Sequence, residues 1–488
     1  MRTPIHLNPD TQPQISLVAA EPHCHGPAQI VALALNLRPP VTMPRLQNRA
    51  SEPMNPPPAD EPRPPPPAAP AGETLAGEAL RSLPRSKPFQ RFWCTRVLSS
   101  LSFQMLAVAM GWHIYGLTHS AFALGLLGLA QFLPMFTLTL VVGHVADRYD
   151  RRRIAAVCQS AEAVAALVFA LGTFGGWLSA PVIYGLAACV GAARAFESPA
   201  VSSLLPGVVP RSQLPQATAW TTAAGQTAQI VGPALGGLLY GVGAGLAYLV
   251  CALTFASAAT LVWGIPLQAR PATRAPVTLA SVFSGIAFIR SQPVILGALS
   301  LDLFAVLFGG ATALLPVFAR DILHAGPLAL GLLRSASAVG ALSGTIWLAH
   351  FPLRKRPGLA MFGGVIAFGA ATLVFGLSHQ IVISLLALAV LGASDVISVV
   401  VRLSLVQLRT PEEMLGRVSA VNALFIGSSN QLGEFESGLT AGWWGAQPAV
   451  LVGGVATIAI ALLWMKLFPE LARVRKLGHE DEHAAAGA

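Results

Sequence analysis

The sequence predicts an all-α membrane protein of twelve transmembrane helices in two pseudo-symmetric six-helix bundles, and three observations carry that expectation. First, 54% of the 488 residues are hydrophobic and only 11% are charged, against about 25% in a soluble chain, whose surface must face water. Second, apolar runs of about eighteen residues or more recur from Phe92 to Phe468, each long enough to cross a hydrocarbon core about 30 Å thick. Third, features of the first half of the chain return in the second.

Residues 1–86 form a separate regime. Pro56 to Pro58 and Pro64 to Pro67 stand among Ala, Glu and Arg, a composition that cannot bury enough apolar surface to offset chain entropy, so a disordered cytoplasmic segment is expected. The apolar stretch Ile30 to Leu37 is short and no small-residue cleavage site follows it, unlike a secretory signal. Met43 or Met54 could equally open the translated chain.

From Phe89 onward, spans are expected near 91–116, 121–145, 153–174, 181–205, 216–240 and 246–265, making an N-terminal bundle over 87–266. A cytoplasmic inter-bundle loop, 267–292, precedes spans near 293–317, 327–350, 358–377, 381–405, 416–441 and 447–468. These make a C-terminal bundle over 293–470, with a charged cytoplasmic tail at 471–488.

The net charge of +9 sits in short runs between the spans, where it sets topology and does not point to nucleic acid. Alternate loops carry Arg85, Lys87 and Arg91, then Arg148 and Arg151 to Arg153, then Arg270, Arg274 and Arg290, then Arg354, Lys355 and Arg356. The opposite loops, such as Thr118-His119-Ser120 and Gly241 to Gly245, are almost free of Lys and Arg, with Arg320 the exception. Both termini are therefore expected in the cytoplasm of a bacterial inner-membrane protein, which requires an even number of spans.

The repeat has two registers. Ala123-Leu-Gly-Leu-Leu127 opens the second span and Ala329-Leu-Gly-Leu-Leu333 the eighth, and each span ends in a His, His144 and His350. In the fourth and tenth spans Gly191 matches Gly392, Ser203 matches Ser404 and Pro210 matches Pro411. Two parallel halves with a binding site between them near the midplane follow.

Between spans two and three runs Gly143-His-Val-Ala-Asp147-Arg148-Tyr-Asp150-Arg151-Arg152-Arg153. It resembles the signature loop of the major facilitator superfamily, G-x-x-x-D-R-x-G-R-[RK], with Asp150 where Gly is usual; Asp tolerates turn conformations nearly as well. Gly143 permits close helix contact, and Asp147 is placed to pair with a cation or a neighbouring helix N-terminus, a network able to close one face in one state and break in the other. A solvated charge cluster that only fixes topology is the competing reading.

A narrower resemblance rests on Arg194-Ala-Phe-Glu197-Ser-Pro199, Leu205-Pro206, Gly232-Pro233-Ala-Leu-Gly236-Gly237 and Asn430-Gln431-Leu-Gly433-Glu434. Together these are similar to the enterobactin-exporter branch of the superfamily, over roughly residues 89–468. The Gly232 to Gly237 element is similar to the fifth-span motif that accompanies export, although small-residue helix packing alone would also produce it.

Ionisable residues inside spans are costly in lipid and tend to face a cavity. Arg96 lies in span one, Arg194 and Glu197 in four, Asp302 in seven, and Asp395 and Arg402 in ten; the resemblance implies that these spans line the central cavity. Glu162, Glu434 and Glu436 fall outside that set, although Glu434, with Arg96, Arg194, Glu197, Asp302 and Asp395, is a candidate for the proton and substrate pathway. Arg96 and Arg402 lie near a cytoplasmic end, where snorkelling competes with function. His113 and His144, near helix ends, read as structural. Arg194 and Asp395 occupy equivalent repeat positions with opposite charge, so they are expected to face each other across the cavity, with Asp302 as a rival proton carrier.

The resemblance implies a secondary transporter that exports a small amphipathic molecule, a siderophore or drug, in exchange for protons by alternating access. Its partners would be that substrate, protons and the lipid bilayer, and it would act as a monomer. An importer of this fold and a non-transporting sensor remain open. The five cysteines form no CxxC or Cys/His cluster and no catalytic constellation stands out, so no metal, cofactor or enzymatic activity is expected.

Overall fold

The computed structural model describes residues 86–266, 279–353 and 355–474, and within them it is helical, without strands. The N-terminal half comprises α1 (Lys87–Thr118), α2 (Ala121–Arg148), α3 (Arg151–Phe174), α4 (Ala180–Val208), α5 (Leu214–Val242) and α6 (Ala244–Trp263). A connecting helix, α7 (Leu279–Ser291), leads to α8 (Pro293–Phe308), α9 (Pro327–His350), α10 (Pro357–Leu377), α11 (Ile381–Arg409), α12 (Glu412–Trp444), α13 (Ala446–Leu467) and the short α14 (Pro469–Arg473). The segment expected to be disordered, 1–85 of it, and tail residues 475–488 lie outside the described residues.

Among the described residues, nine helical segments are long and apolar enough to cross a membrane by themselves. The other three expected spans are α4, α5 and α12, at 29, 29 and 33 residues. Their length suffices, but they carry the polar side chains, including Arg194, Glu197, Gln431 and Glu434. Such groups are tolerated at membrane depth when other helices supply partners.

Two elements differ from the sequence expectation. The inter-bundle segment read as a loop contains α7, because Ile286, Phe288 and Ile289 pack on Met414, Val418 and Val421 of α12. The seventh span is broken after α8. Gly309 and Gly310 interrupt it, a 3-10 turn covers Ala311–Leu314, and a π-turn runs over Phe318–Ile322. A Cβ at Gly310 would lie 2.5 Å from the Gly433 carbonyl oxygen, so α12 can approach only a bare backbone there.

The two repeat registers meet in one contact. A Cβ on Gly191 of α4 would lie 2.1 Å from the carbonyl oxygen of Gln131 on α2, and one on Gly392 of α11 would lie 2.0 Å from that of Ser337 on α9. Gln131 and Ser337 share the 206-residue offset of the Ala123 and Ala329 motifs. Each half thus uses the same glycine to seat its fourth helix on its second. Gly191→Ala is expected to destabilise the protein by about 1–3 kcal/mol through overpacking. Gly185→Ala on the same helix, where a Cβ would meet nothing, should leave thermal unfolding in detergent unchanged.

The halves share a core at one face only. One apolar cluster joins Met110, Ile114 and Leu124 of the first half to Leu314, Phe318 and Leu330 of the second. At the opposite face, where Lys87 and Leu467 lie, each apolar cluster belongs to a single half: Phe92, Ala156 and Val262 in the first, Val294, Phe362 and Leu405 in the second. The bundles are therefore sealed away from the termini and separate towards them.

Candidate functional site

Each half holds one Arg–carboxylate pair and keeps further carboxyls outside it. In the N-terminal half the pair is Arg194–Glu197, one turn apart on α4, and Glu197 is 0% exposed. Ser99 of α1 donates to Oε1 of Glu197, and Gln159 Nε2 of α3 donates to the same oxygen at 3.0 Å. Three helices thus converge on one carboxylate, as a buried charge requires. The Arg194 guanidinium lies 4.4 Å above the Phe103 ring, a cation–π placement that covers its face. Arg96 of α1 is partly exposed, with a buried Nε that has no partner. Glu162 of α3 is a carboxyl outside the pair.

In the C-terminal half Arg402 of α11 pairs with Asp302 of α8. They are 2% and 5% exposed, so Arg402 does not snorkel: its guanidinium turns into the bundle because a carboxylate waits there. Asp395, two turns earlier on α11, lines a small cavity with Asp302, Ser394, Ser398 and Phe368.

The structure does not bring Arg194 and Asp395 together. Arg194 pairs inside its own half and Asp395 faces α8 and α10 of the other. A partner three residues along the same helix neutralises the guanidinium without drawing the halves together, which equivalence in the repeat could not reveal.

Charged and small residues also build the seal. Tyr115 of α1 donates to Asp321 in the π-turn after α8, a bond between halves. The Gly232 to Gly237 element is a three-helix junction: a Cβ at Gly236 would lie 2.8 Å from Met105 Cα of α1, and one at Gly232 2.6 Å from Gln104 Cβ. A Cβ at Gly237 would lie 2.3 Å from the Pro327 carbonyl oxygen of α9, and the Pro233 carbonyl oxygen stands 2.3 Å from the corresponding point on Gly331. On the other side Gly125 of α2 meets Gly438 of α12, and Glu434 packs on Gly128. Gly125 and Gly331 are the central residues of the repeated motif, so the repeat marks where each half crosses the other.

In the signature loop Asp150 is not a substitute for a glycine turn. Its backbone is extended, and its Oδ1 accepts from the Arg152 amide at 2.9 Å, capping α3. Asp is among the best N-cap residues. Arg152 bridges to Asp150 at 3.6 Å and donates to the Ile265 carbonyl at 3.0 Å, while Arg91 donates to that of Gly264. Both cations thus meet the carbonyl end of α6, where positive charge is favoured. Arg148 is exposed and Arg151 partly so. The surroundings of Gly143 and the side chain of Asp147 lie outside the described residues.

The residues that sequence reasoning left out, Ser99, Gln159, Tyr115 and Asp321, are polar groups of helices otherwise read as apolar. The one nearby signal was Arg320, the neighbour of Asp321, as a cation in a loop expected to lack Lys and Arg.

The model of the transmembrane secretion effector family of the major facilitator superfamily matches residues 82–485. The enterobactin exporter EntS of Citrobacter koseri is 29% identical over 405 residues, 81% of this chain and 95% of that protein; the exporter of the same name from Escherichia coli O1:K1 is 27% identical with the same coverage. Among solved structures, a bacterial homolog of the human lysosomal transporter Spinster, inward-facing and unoccupied, superposes with a TM-score of 0.62 at 14% identity, covering 79% of this chain and 98% of that one. The nucleoside transporter NupG superposes with a TM-score of 0.57 at 15% identity, covering 78% and 99%.

A multi-pass membrane protein of this architecture is a transporter of small molecules and not an enzyme. The chain belongs to the transmembrane secretion effector family of the major facilitator superfamily.

Proposed function

We propose that the protein is a secondary active exporter that moves a small amphipathic molecule of the siderophore class out of the cytoplasm in exchange for protons. The observation that carries the direction and the substrate class is its likeness to the enterobactin exporters along 95% of their length. The buried carboxyls in both halves support proton exchange, because a carboxyl at membrane depth is costly to ionise and is retained where it serves a pathway. With Glu434 at the seam of α2 and α12, the pathway would run from Arg96 and Arg194–Glu197 to Asp302 and Asp395. The loop around Asp147 and Arg148 would close the terminal face in the alternate state. The protein would work as a monomer in a bacterial inner membrane.

The experiment is efflux of labelled enterobactin from cells that lack their own exporter. Expression of this chain should lower cell-associated enterobactin and restore growth under iron limitation. Unchanged retention would rule out this substrate, and increased accumulation of supplied enterobactin would reverse the direction.

With both termini in the cytoplasm, the sealed face is periplasmic and the structure is inward-open. Reporter fusions after Ser179 and Gly445 should then read as periplasmic, and fusions after Arg153 and Arg356 as cytoplasmic. A reversed or mixed pattern contradicts the orientation and the count of twelve spans.

A further inference from the structure

Glu162 belongs to neither ion pair. It is 0% exposed, and among the described residues it is the carboxyl whose two oxygens are both buried without a hydrogen-bond partner. Its place on α3 is defined by Gln159, one turn earlier, which reaches Glu197 at 3.0 Å; residues three apart share a helix face, so Glu162 looks towards the Arg194–Glu197 pair of α4. The ionisable groups around it are Arg194 and Glu197 on α4, Arg96 on α1 beyond them, and Cys158 one turn back on α3. The remaining neighbour, α6, carries Tyr248 and Cys251 but no Asp, Glu, Lys, Arg or His.

An ionised Glu162 would be a buried charge with neither counter-ion nor donor, the costliest state open to it. A second orphan points the same way. Gln159 Oε1, on the same helix face, is buried without a donor, and a neutral Glu162 carries the proton that an ionised one lacks.

We propose that Glu162 is a proton-carrying site of the N-terminal half, a carboxylic acid in this conformation and a carboxylate when Arg194 turns from Glu197 to it. On that turn the O–H bond of Glu162 breaks, its electron pair stays on the carboxylate, and the proton passes to water in the cavity between the halves. The new carboxylate accepts the Arg194 N–H groups. Glu197 remains ionised because Ser99 and Gln159 stay on its Oε1. The transport role rests on the proton-exchange reading above; the protonation state does not.

The test therefore has two arms. Infrared spectra of the purified full-length protein in lipid at neutral pH should contain a protonated-carboxyl C=O component that disappears in Glu162→Gln and returns, shifted, in Glu162→Asp. A spectrum that Glu162→Gln leaves unchanged means that Glu162 is ionised and overturns the proposal. In proteoliposomes loaded with enterobactin, acidifying the side that receives it should accelerate wild-type efflux, and Glu162→Gln should lose that acceleration while Glu162→Asp regains part of it. Full acceleration in Glu162→Gln overturns the carrier role alone. A wild type indifferent to the gradient overturns the proton-exchange reading and the carrier role with it, while the infrared component would still report a neutral Glu162. Because Glu162→Asp keeps a carboxyl in place, misfolding of Glu162→Gln cannot imitate the result: the Asp variant must carry the band.

Discussion

Asp302→Asn is expected to destabilise the C-terminal half by about 3–5 kcal/mol, the cost of leaving one partner of a buried ion pair charged and alone. Arg402 is 2% exposed, its Nε has no partner, and Asp302 is the acceptor that holds it. The corresponding change in the other half, Glu197→Gln, should cost less, because Arg194 is partly exposed and retains Ser99 and the Phe103 ring. Replacing both partners by apolar residues, Asp302→Leu with Arg402→Met, should recover most of the loss, since two well-packed apolar side chains need no counter-ion. Thermal unfolding in detergent separates the cases. A single Asp302→Asn variant as stable as wild type would show that Arg402 finds another partner.

The second large effect is conformational. Gly237→Ala puts a Cβ where the Pro327 carbonyl oxygen stands 2.3 Å away, a distance that no side chain rotation relieves because the obstacle is backbone. α5 and α9 belong to different halves, so they can separate without unfolding either bundle. Overpacking of this kind costs about 1–3 kcal/mol, which moves a two-state equilibrium by roughly one to two orders of magnitude. The sealed face should therefore open. In a background lacking the native cysteines, Leu330→Cys, buried in the core shared by the halves, should react with a membrane-impermeant maleimide much faster when Gly237→Ala is present. Gly185→Ala, which meets no neighbour, should have no effect. Equal labelling in all three backgrounds would mean that this junction is not a moving seam.

Apolar length was legible because membrane insertion acts on composition, which a sequence displays directly. The repeat was legible for a related reason. Gly191 and Gly392 are each required by a backbone contact that admits no Cβ, so the same residue type returns at the same place. Pairing inside the helices was not legible. Repeat equivalence sets Arg194 opposite Asp395, but which neighbour a guanidinium chooses depends on side-chain direction and helix rotation, and Glu197 lies closer. Gln159 and Ser99 belong to helices whose apolar majority hides single polar residues. The motif suggests for Asp150 only a tolerance of turns, whereas its side chain caps α3, and only the extended backbone at that residue distinguishes the two.

Export of a siderophore-class molecule in exchange for protons can be read out in reconstituted flux. Protein should be inserted in proteoliposomes, labelled enterobactin placed on the side of the termini, and its passage measured with and without acid on the opposite side. Enterobactin is expected to move towards the acid side and to stop when a protonophore collapses the gradient. Movement that is the same with and without the gradient, or that runs only towards the side of the termini, would contradict export in exchange for protons.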